Sequence, residues 1–323
     1  MQNKKTAKSY IDNGGTLKLA KPFWTRLKED LIRNRVLYIM VLPVVVFYIL
    51  FMYLPMYGVT IAFQDYDPAW GYSGSPWVGL ENFKDFFGSI YFWRILKNTL
   101  RISLSSILFG FPAPIILALL INEVVHKPFM KTVQTITYLP HFISLVVVCG
   151  IIKDFTNTNG LVTQLIAQFT GDDTSLLIKP EAFTPLYVIT DIWQQVGWGS
   201  IIYIAALTGI DMQLYEAASL DGCGRLRQTW HVSIPGILPT IVIMLILRMG
   251  SVLNVGYEKI ILLYNERIYE TADVISSFVY RKGLQEFNWS YASAVGLFNS
   301  VVNVIFVLGT NHISRRLTES SLW

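Results

Sequence analysis

An all-α membrane protein with six transmembrane helices is the architecture that these 323 residues predict. Three observations carry the prediction. Hydrophobic residues make up 53% of the chain and charged ones 15%, against ~25% charged in a typical soluble domain. Nearly charge-free apolar runs recur at about 37–63, 98–122, 132–152, 184–209, 236–263 and 290–313. Each can cross a hydrocarbon core, which takes ~20 helical residues. Finally, Lys and Arg gather on one side of those runs, and an even number of crossings returns both termini to that side.

The basic tail, 1–36, holds nine Lys and Arg. Its stretch KPFWTRLKEDLIRNR (21–35) intersperses Phe23, Trp24, Leu27, Leu31 and Ile32 with cations. That pattern reads as an amphipathic helix at the membrane surface, with a disordered basic tail as the other reading. The first apolar run is too long for the core of a cleavable signal.

Orientation follows from the loops. The tail and segments 123–131, 210–233 and 314–323 together carry fifteen Lys and Arg. The opposite loops, 64–94, 153–183 and 264–290, carry seven beside twelve Asp and Glu. The positive-inside rule makes both termini cytoplasmic. The chain thus reads as a cytoplasmic tail (1–36), a membrane domain (37–314) and a short cytoplasmic end (315–323). The outer stretch GYSGSPWVGLENFKDFF (71–87) reads as an interfacial aromatic belt, docking of an external partner being the alternative. Cys149 and Cys223 lie far apart and suggest neither disulfide nor metal cage, and no Cys/His cluster has metal spacing.

Between spans four and five lies YEAASLDGCGRLRQTWHVSIPGILPT (215–240), on the cytoplasmic side. Tyr215–Leu220 favours helix. Asp221-Gly222-Cys223-Gly224 breaks it, with Asp221 placed to cap a second short helix over Arg225–His231. Pro235 and Pro239 mark the entry into span five. Two short helices at a membrane surface make a protruding knob suited to a groove on a soluble partner.

Glu216-Ala217-Ala218, then Gly222, then Val232 and Ile234-Pro235 resemble the EAA loop of permease subunits of binding-protein-dependent ABC importers. Val232 and Ile234 depart from that loop's usual Ile-x-Leu-Pro ending but stay apolar. PMYGVTIAFQDY (55–66), SPWVGLENF (75–83), YETADVISSFVYRKGL (269–284), SAVGLFNSVVNVIF (293–306) and LTESSLW (317–323) are similar to the polysaccharide and complex-oligosaccharide branch of sugar permeases. The resemblance implies a type I importer fold with EAA coupling helices, in which two permeases, here an expected heterodimer, share one pathway. It implies two ATPase subunits that use ATP and Mg, each receiving one EAA loop, and an external protein that delivers the sugar. Glu216, Ala217, Ala218, Asp221 and Gly222 would form the ATPase-coupling set, Glu216 meeting a basic residue and Gly222 making the bend. No catalytic residue or cofactor is expected in this chain, and the phosphate-binding pattern G-x-x-x-x-G-K-[S/T] is absent from it.

Span four reads PLYVITDIWQQVGWGSIIYIAAL. Asp191, Gln194, Gln195 and Trp198 follow i, i+3, i+4, i+7 and share one helical face. A charge, two amides and an indole are costly against lipid, so the face should look into the bundle or a wet cavity. Amides and carboxylates hydrogen-bond sugar hydroxyls and an indole stacks on a sugar ring. A polar clasp between helices is the other reading.

Span five repeats the spacing with Arg248, Ser251, Val252 and Val255. Arg248 falls ~18 Å along a helix from Gly236, near mid-span. A guanidinium there costs at least ~2.5–3.5 kcal/mol and needs a partner, either Asp191 or a substrate carboxylate. In maltodextrin permeases of the resembled family both quartets align with sugar-contacting positions, with small or polar residues where Arg248 stands. That departure puts neutral maltodextrin in doubt and makes an acidic sugar the expectation, alginate-like uronate polymers among them. Asn254, Tyr257, Glu258 and Lys259 are placed in an outer vestibule.

Other polar residues read as structural. Arg101 should snorkel outward. His141, after a kink at Pro140, reads as a satisfied core histidine. Asn299 and Asn303, four apart in span six, read as bridges between helices. An ion-driven transporter would need internal repeats and carboxylates at broken helices, and would leave the EAA loop unused. A membrane enzyme would need a catalytic cluster that the sequence lacks.

Overall fold

The computed structural model describes residues Ser9–Ile11, Leu17–Leu19 and Phe23–Thr318. The ending 319–323, part of the similarity-bearing LTESSLW, and most of the tail before 23 lie outside the described residues. The chain divides into two units after Gly58.

In the first unit, Ser9–Ile11 pairs antiparallel with Leu17–Leu19, Ser9 opposite Leu19. This small hairpin departs from the all-helical expectation, and no further strand occurs among the described residues. The Phe23–Arg33 helix follows where the apolar and cationic spacing predicts one. Asp30 secures its junction with the next helix, accepting from Asn34 Nδ2 at 2.7 Å and Tyr38 Oη at 2.6 Å. A helical stretch, Arg35–Phe63, then runs on past Pro43.

Five stretches among the described residues are long and apolar enough to cross a membrane: Arg35–Phe63, Phe92–Asn122, Leu145–Thr170, Arg225–Met249 and Trp289–Arg316. Three differences from the predicted spans have physical causes. The predicted run 132–152 is not one helix. Lys127–Tyr138 ends in a tight 3-10 turn at Leu139–Phe142, and Ser144 caps a new helix, Leu145–Thr156. Pro140 cannot donate to the helical ladder, and that breaks it. The predicted run 236–263 stops at Met249 and resumes as a short helix at Tyr257–Leu263. The Phe183–Thr208 helix is not among the five apolar stretches, because its polar face dilutes a 26-residue element otherwise long enough to span.

That helix is the hub of the second unit. It packs against Pro112–Asn122, Lys127–Tyr138 and Ile234–Met249. Gly197 permits a backbone approach on one side: a Cβ there would stand 2.0 Å from the Thr137 carbonyl oxygen. Tyr203 and Leu207 continue the interface, buried with Ala118 and Ile237.

The segment 264–290 is clasped to the start of the Phe92–Ser105 helix. Asp273 is fully buried there, with Arg281 bound bidentately at 3.2 and 2.6 Å and Arg94 at 3.5 Å. Asn98 donates to the Glu270 and Asp273 carbonyls, and Ile275 N donates to Thr99 Oγ1 at 2.9 Å. Arg101, expected to snorkel outward, donates to the Thr271 carbonyl at 3.2 Å, within the segment read as an outer loop.

Candidate functional site

The break in span five builds the site. Residues 250–256 leave the helix between two glycines, Gly250 and Gly256. Backbone freed at membrane depth must find partners within the protein. Here side chains from three other elements supply them. Ser103 Oγ donates to the Val252 carbonyl, Leu253 N donates to Asn303 Oδ1 at 3.1 Å, and Ser276 Oγ donates to the Val255 carbonyl at 2.8 Å. The i, i+3, i+4, i+7 face expected of Arg248, Ser251, Val252 and Val255 is therefore not a helical face. Only Arg248 is helical, and the other three sit in the unwound turn.

The unwound turn nevertheless brings all four together with span four. A cavity of about 520 Å3 is lined by Asp191, Gln195, Trp198, Arg248, Ser251, Val252, Asn254 and Val255, with Ser103, Ser106 and Tyr187 in its wall. Its volume suits a small ligand or one segment of a chain. Gln194 does not line it. Gln194 is 5% exposed and shares a face with Gly197, turned toward the helix that carries Thr137. The 100° step between residues separates Gln194 from Gln195, so an i, i+3 pair need not share the narrower cavity-facing arc.

Asp191 does not pair with Arg248. Its Oδ1 lies 3.6 Å from Lys259 Nζ. Lys259, expected in an outer vestibule, is 4% exposed; it donates to the Tyr187 carbonyl at 3.1 Å and lies 4.6 Å from the centre of the Tyr187 ring. An ammonium followed directly by Ile260-Ile261-Leu262-Leu263 sits in apolar surroundings and demands such partners, a signal available in the sequence. Arg248 is exposed to the cavity, and among the described residues its guanidinium has no hydrogen-bond or ion-pair partner. Asp191 and Arg248 are the charged residues lining the cavity, and Lys259 offsets Asp191 from behind.

Asn299 and Asn303, expected to bridge helices, instead tie the last helix to the unwound turn. Both donate to Asn254 Oδ1, at 2.6 and 3.2 Å. Asn254 is thus fixed while still lining the cavity. Tyr257 and Glu258 are exposed, with Tyr257 Oη donating to Glu258 Oε1 at 3.3 Å. His141 has partners, but it is half-buried rather than in the core. Its Nδ1 lies 2.9 Å from Gln195 Oε1, and its ring stacks on Trp198.

The knob after span four is a separate surface. Asp211 caps the Met212–Leu220 helix by accepting from Gln213 N at 2.9 Å. Asp221 stands at that helix's C-terminal end and does not cap the next one; Gly224 holds that position. An acceptor side chain serves a helix start only from the residue immediately flanking it. Gly222 adopts φ +75°, the left-handed conformation that ends a helix cheaply only in glycine. The second short helix spans Arg225–Gln228 and runs through a π turn, Thr229–Ser233, into Ile234–Met249, with Pro235 in its first turn. Gln228 Nε2 ties the two halves by donating to Ser219 Oγ at 2.8 Å and the Cys223 carbonyl at 3.1 Å. Glu216, Ala217, Asp221 and Gly222 are exposed and Ala218 is half-buried. Leu220 and Leu226 are 90% and 80% exposed, leaving apolar tips beside Glu216.

The chain is similar to known proteins over most of its length. The family model "Binding-protein-dependent transport system inner membrane component" matches residues 110–319. The chain is 43% identical to Protein LplB of Bacillus subtilis, covering 90% of this chain and 92% of that one. It is 44% identical to the polygalacturonan/rhamnogalacturonan transport system permease protein YteP of the same organism, covering 92% and 93%. A crystal structure of a bacterial alginate ABC transporter, in complex with alginate pentasaccharide-bound periplasmic protein, contains a chain that is 44% identical and superposes with a TM-score of 0.84 over 92% of this chain and 100% of that one. The family model covers well over half of the chain, knob and broken span included, and so this multi-pass chain belongs to the inner-membrane permease family of binding-protein-dependent ABC importers.

Proposed function

We propose that this permease passes uronate-containing oligosaccharides or polysaccharide fragments from an external binding protein into the cell. The observation that carries the reading is the charge of the cavity. Lys259 offsets Asp191 from outside the lining, so Arg248 leaves the cavity with net positive character. An unpaired guanidinium in low-dielectric surroundings favours a carboxylate, which it can bind through two parallel hydrogen bonds. Trp198 offers an indole face for the apolar side of a sugar ring, and Gln195, Ser251 and Asn254 offer hydrogen bonds to hydroxyls. Relatives that handle polygalacturonan, rhamnogalacturonan and alginate support the same chemistry.

The chain makes six crossings in this reading, Phe183–Thr208 included, with both termini cytoplasmic. It pairs with a second, different permease around a shared pathway. Two ATPase subunits, which bind ATP and Mg, each seat one knob; this chain binds no cofactor. Glu216, Ala217, Ala218, Asp221 and Gly222 form the seated surface. A surface ion pair at Glu216 contributes ~0–1 kcal/mol, so its value lies in register and transmission. Closure of the ATPases pulls the knobs and turns the cavity from the cytoplasmic to the external side.

The test is ATPase activity of the assembled complex in proteoliposomes, with its binding protein, across neutral and uronate oligosaccharides. Stimulation by uronates above neutral sugars is the expected result. Stimulation by neutral sugars alone would contradict the substrate assignment, and uptake without the ATPase subunits would contradict the coupling.

A further inference from the structure

We propose that His141 is a positioning residue for the substrate cavity, setting which atoms Gln195 presents to the ligand and holding the plane of Trp198. The inference rests on the reading of this cavity as the sugar pathway.

The geometry comes from two elements. Gln195 and Trp198 stand i, i+3 on the Phe183–Thr208 helix, and both line the cavity. His141 comes from the 3-10 turn that Pro140 creates in span three, and it does not line the cavity. Its ring lies parallel to the Trp198 indole, with an interplanar angle of 1° and centroids 4.5 Å apart. Phe142 meets the same indole edge-on at 5.8 Å. One imidazole thus backs the indole and at the same time bonds the neighbouring amide.

The hydrogen bond has a direction with a chemical consequence. His141 Nδ1 faces Gln195 Oε1 at 2.9 Å. An amide oxygen only accepts, so Nδ1 must carry the proton and donate. That holds the amide oxygen toward His141 through one of its two lone pairs and leaves the NH2 group, with two donors, for the cavity. Donors beside Arg248 suit carboxylate and hydroxyl oxygens. Without His141 the amide is free to turn and present its oxygen, which repels a carboxylate. The stack acts on the second group: an indole packed on one face by a flat ring has fewer rotamers to lose when a sugar covers its other face.

The experiment is equilibrium binding of trigalacturonate and of maltotriose, side by side, to the purified complete transporter in detergent, by calorimetry. His141→Ala is expected to weaken trigalacturonate binding about tenfold, the scale of one lost charge-assisted hydrogen bond plus added disorder. His141→Phe keeps the flat ring and should recover the part that depends on Trp198. His141→Gln keeps a donor and should recover the part that depends on Gln195. In a Gln195→Ala/Trp198→Ala background, His141→Ala should add nothing. An equal loss from His141→Ala in both backgrounds, or no loss in either, overturns the positioning role while leaving the cavity reading intact. If Gln195→Ala and Trp198→Ala themselves change neither ligand's affinity, or if neither trimer binds the parent complex, the cavity reading falls and this inference with it.

Discussion

Lys259 holds Asp191 across the break in span five, nitrogen to carboxylate oxygen at 3.6 Å. The pair links the Phe183–Thr208 helix to the Tyr257–Leu263 helix on the far side of the unwound turn. It therefore braces the cavity wall and also decides the cavity's charge. Asp191 is held by a buried lysine, and Arg248 has no hydrogen-bond or ion-pair partner among the described residues.

Removing that lysine should cost stability. Breaking a buried ion pair costs ~3–5 kcal/mol; Asp191 borders the cavity, so the lower end applies. Lys259→Met should lower the melting temperature of the purified complex, and Asp191→Asn/Lys259→Met should recover most of the loss. Equal melting temperatures for the single and double variants would show that the pair does not brace the wall.

Glu216 sits exposed on the knob, and among the described residues its carboxylate has no hydrogen-bond or ion-pair partner. Glu216→Lys should leave the chain inserted and the complex stable. Sugar uptake should drop while ATP hydrolysis loses its dependence on loaded binding protein. Uptake at the wild-type rate in that variant would remove the coupling assignment.

Gly222 has φ +75° and open space where a Cβ would go. The cost of substitution there is backbone strain and not a clash. Gly222→Val should cost ~1–2 kcal/mol or reorient the second short helix, and Gly222→Asn should be tolerated better. Uptake assays of the two variants at equal membrane abundance make the comparison. Equal activity would mean the bend carries no load.

The clasp around Asp273 gives a prediction about pH. Burial alone would lower the Arg281 pKa, but its hydrogen bonds to the Asp273 carboxylate hold it above the ordinary arginine value. A raised folded-state pKa contributes stability that is complete below the unfolded value and lost only as pH rises through the folded one. Arg281→Met should thus destabilise by about 3 kcal/mol. The melting difference from wild type should stay flat over roughly pH 6–9, since arginine titrates far above that window. A difference that shrinks across that range would contradict the assignment.

Much of this was legible in the sequence, for reasons that particular residues explain. The knob could be read because Asp221-Gly222 interrupts a strong helix former, although the helix restarts at Arg225 and runs on through Pro235. The polar face of span four could be read because Asp191, Gln195 and Trp198 recur at helical spacing in an apolar run, while Gln194 at the same spacing turns away from the cavity. The structural role of Asn299 and Asn303 followed from their spacing, but their partner did not, since Asn254 lies in the unwound turn. Gly250, Ser251, Asn254 and Gly256 mark the break after Met249, but they lie within an apolar run long enough to read as one span, and the stitching comes from Ser103, Ser276 and Asn303, distant in sequence. Lys259 looked like an outer residue because its partners, Asp191 and the Tyr187 carbonyl, are distant in sequence. His141 next to a Pro kink was visible, but its partners lie more than fifty residues away.

The most direct measurement is uptake into proteoliposomes of a uronate and a neutral oligosaccharide by wild-type and Arg248→Ala transporters. Charge-assisted hydrogen bonds are worth ~1.5–3 kcal/mol, so the preference for uronate should fall about tenfold or more. Equal loss for both sugars would contradict a cavity that recognises charge and would return Arg248 to the scaffold.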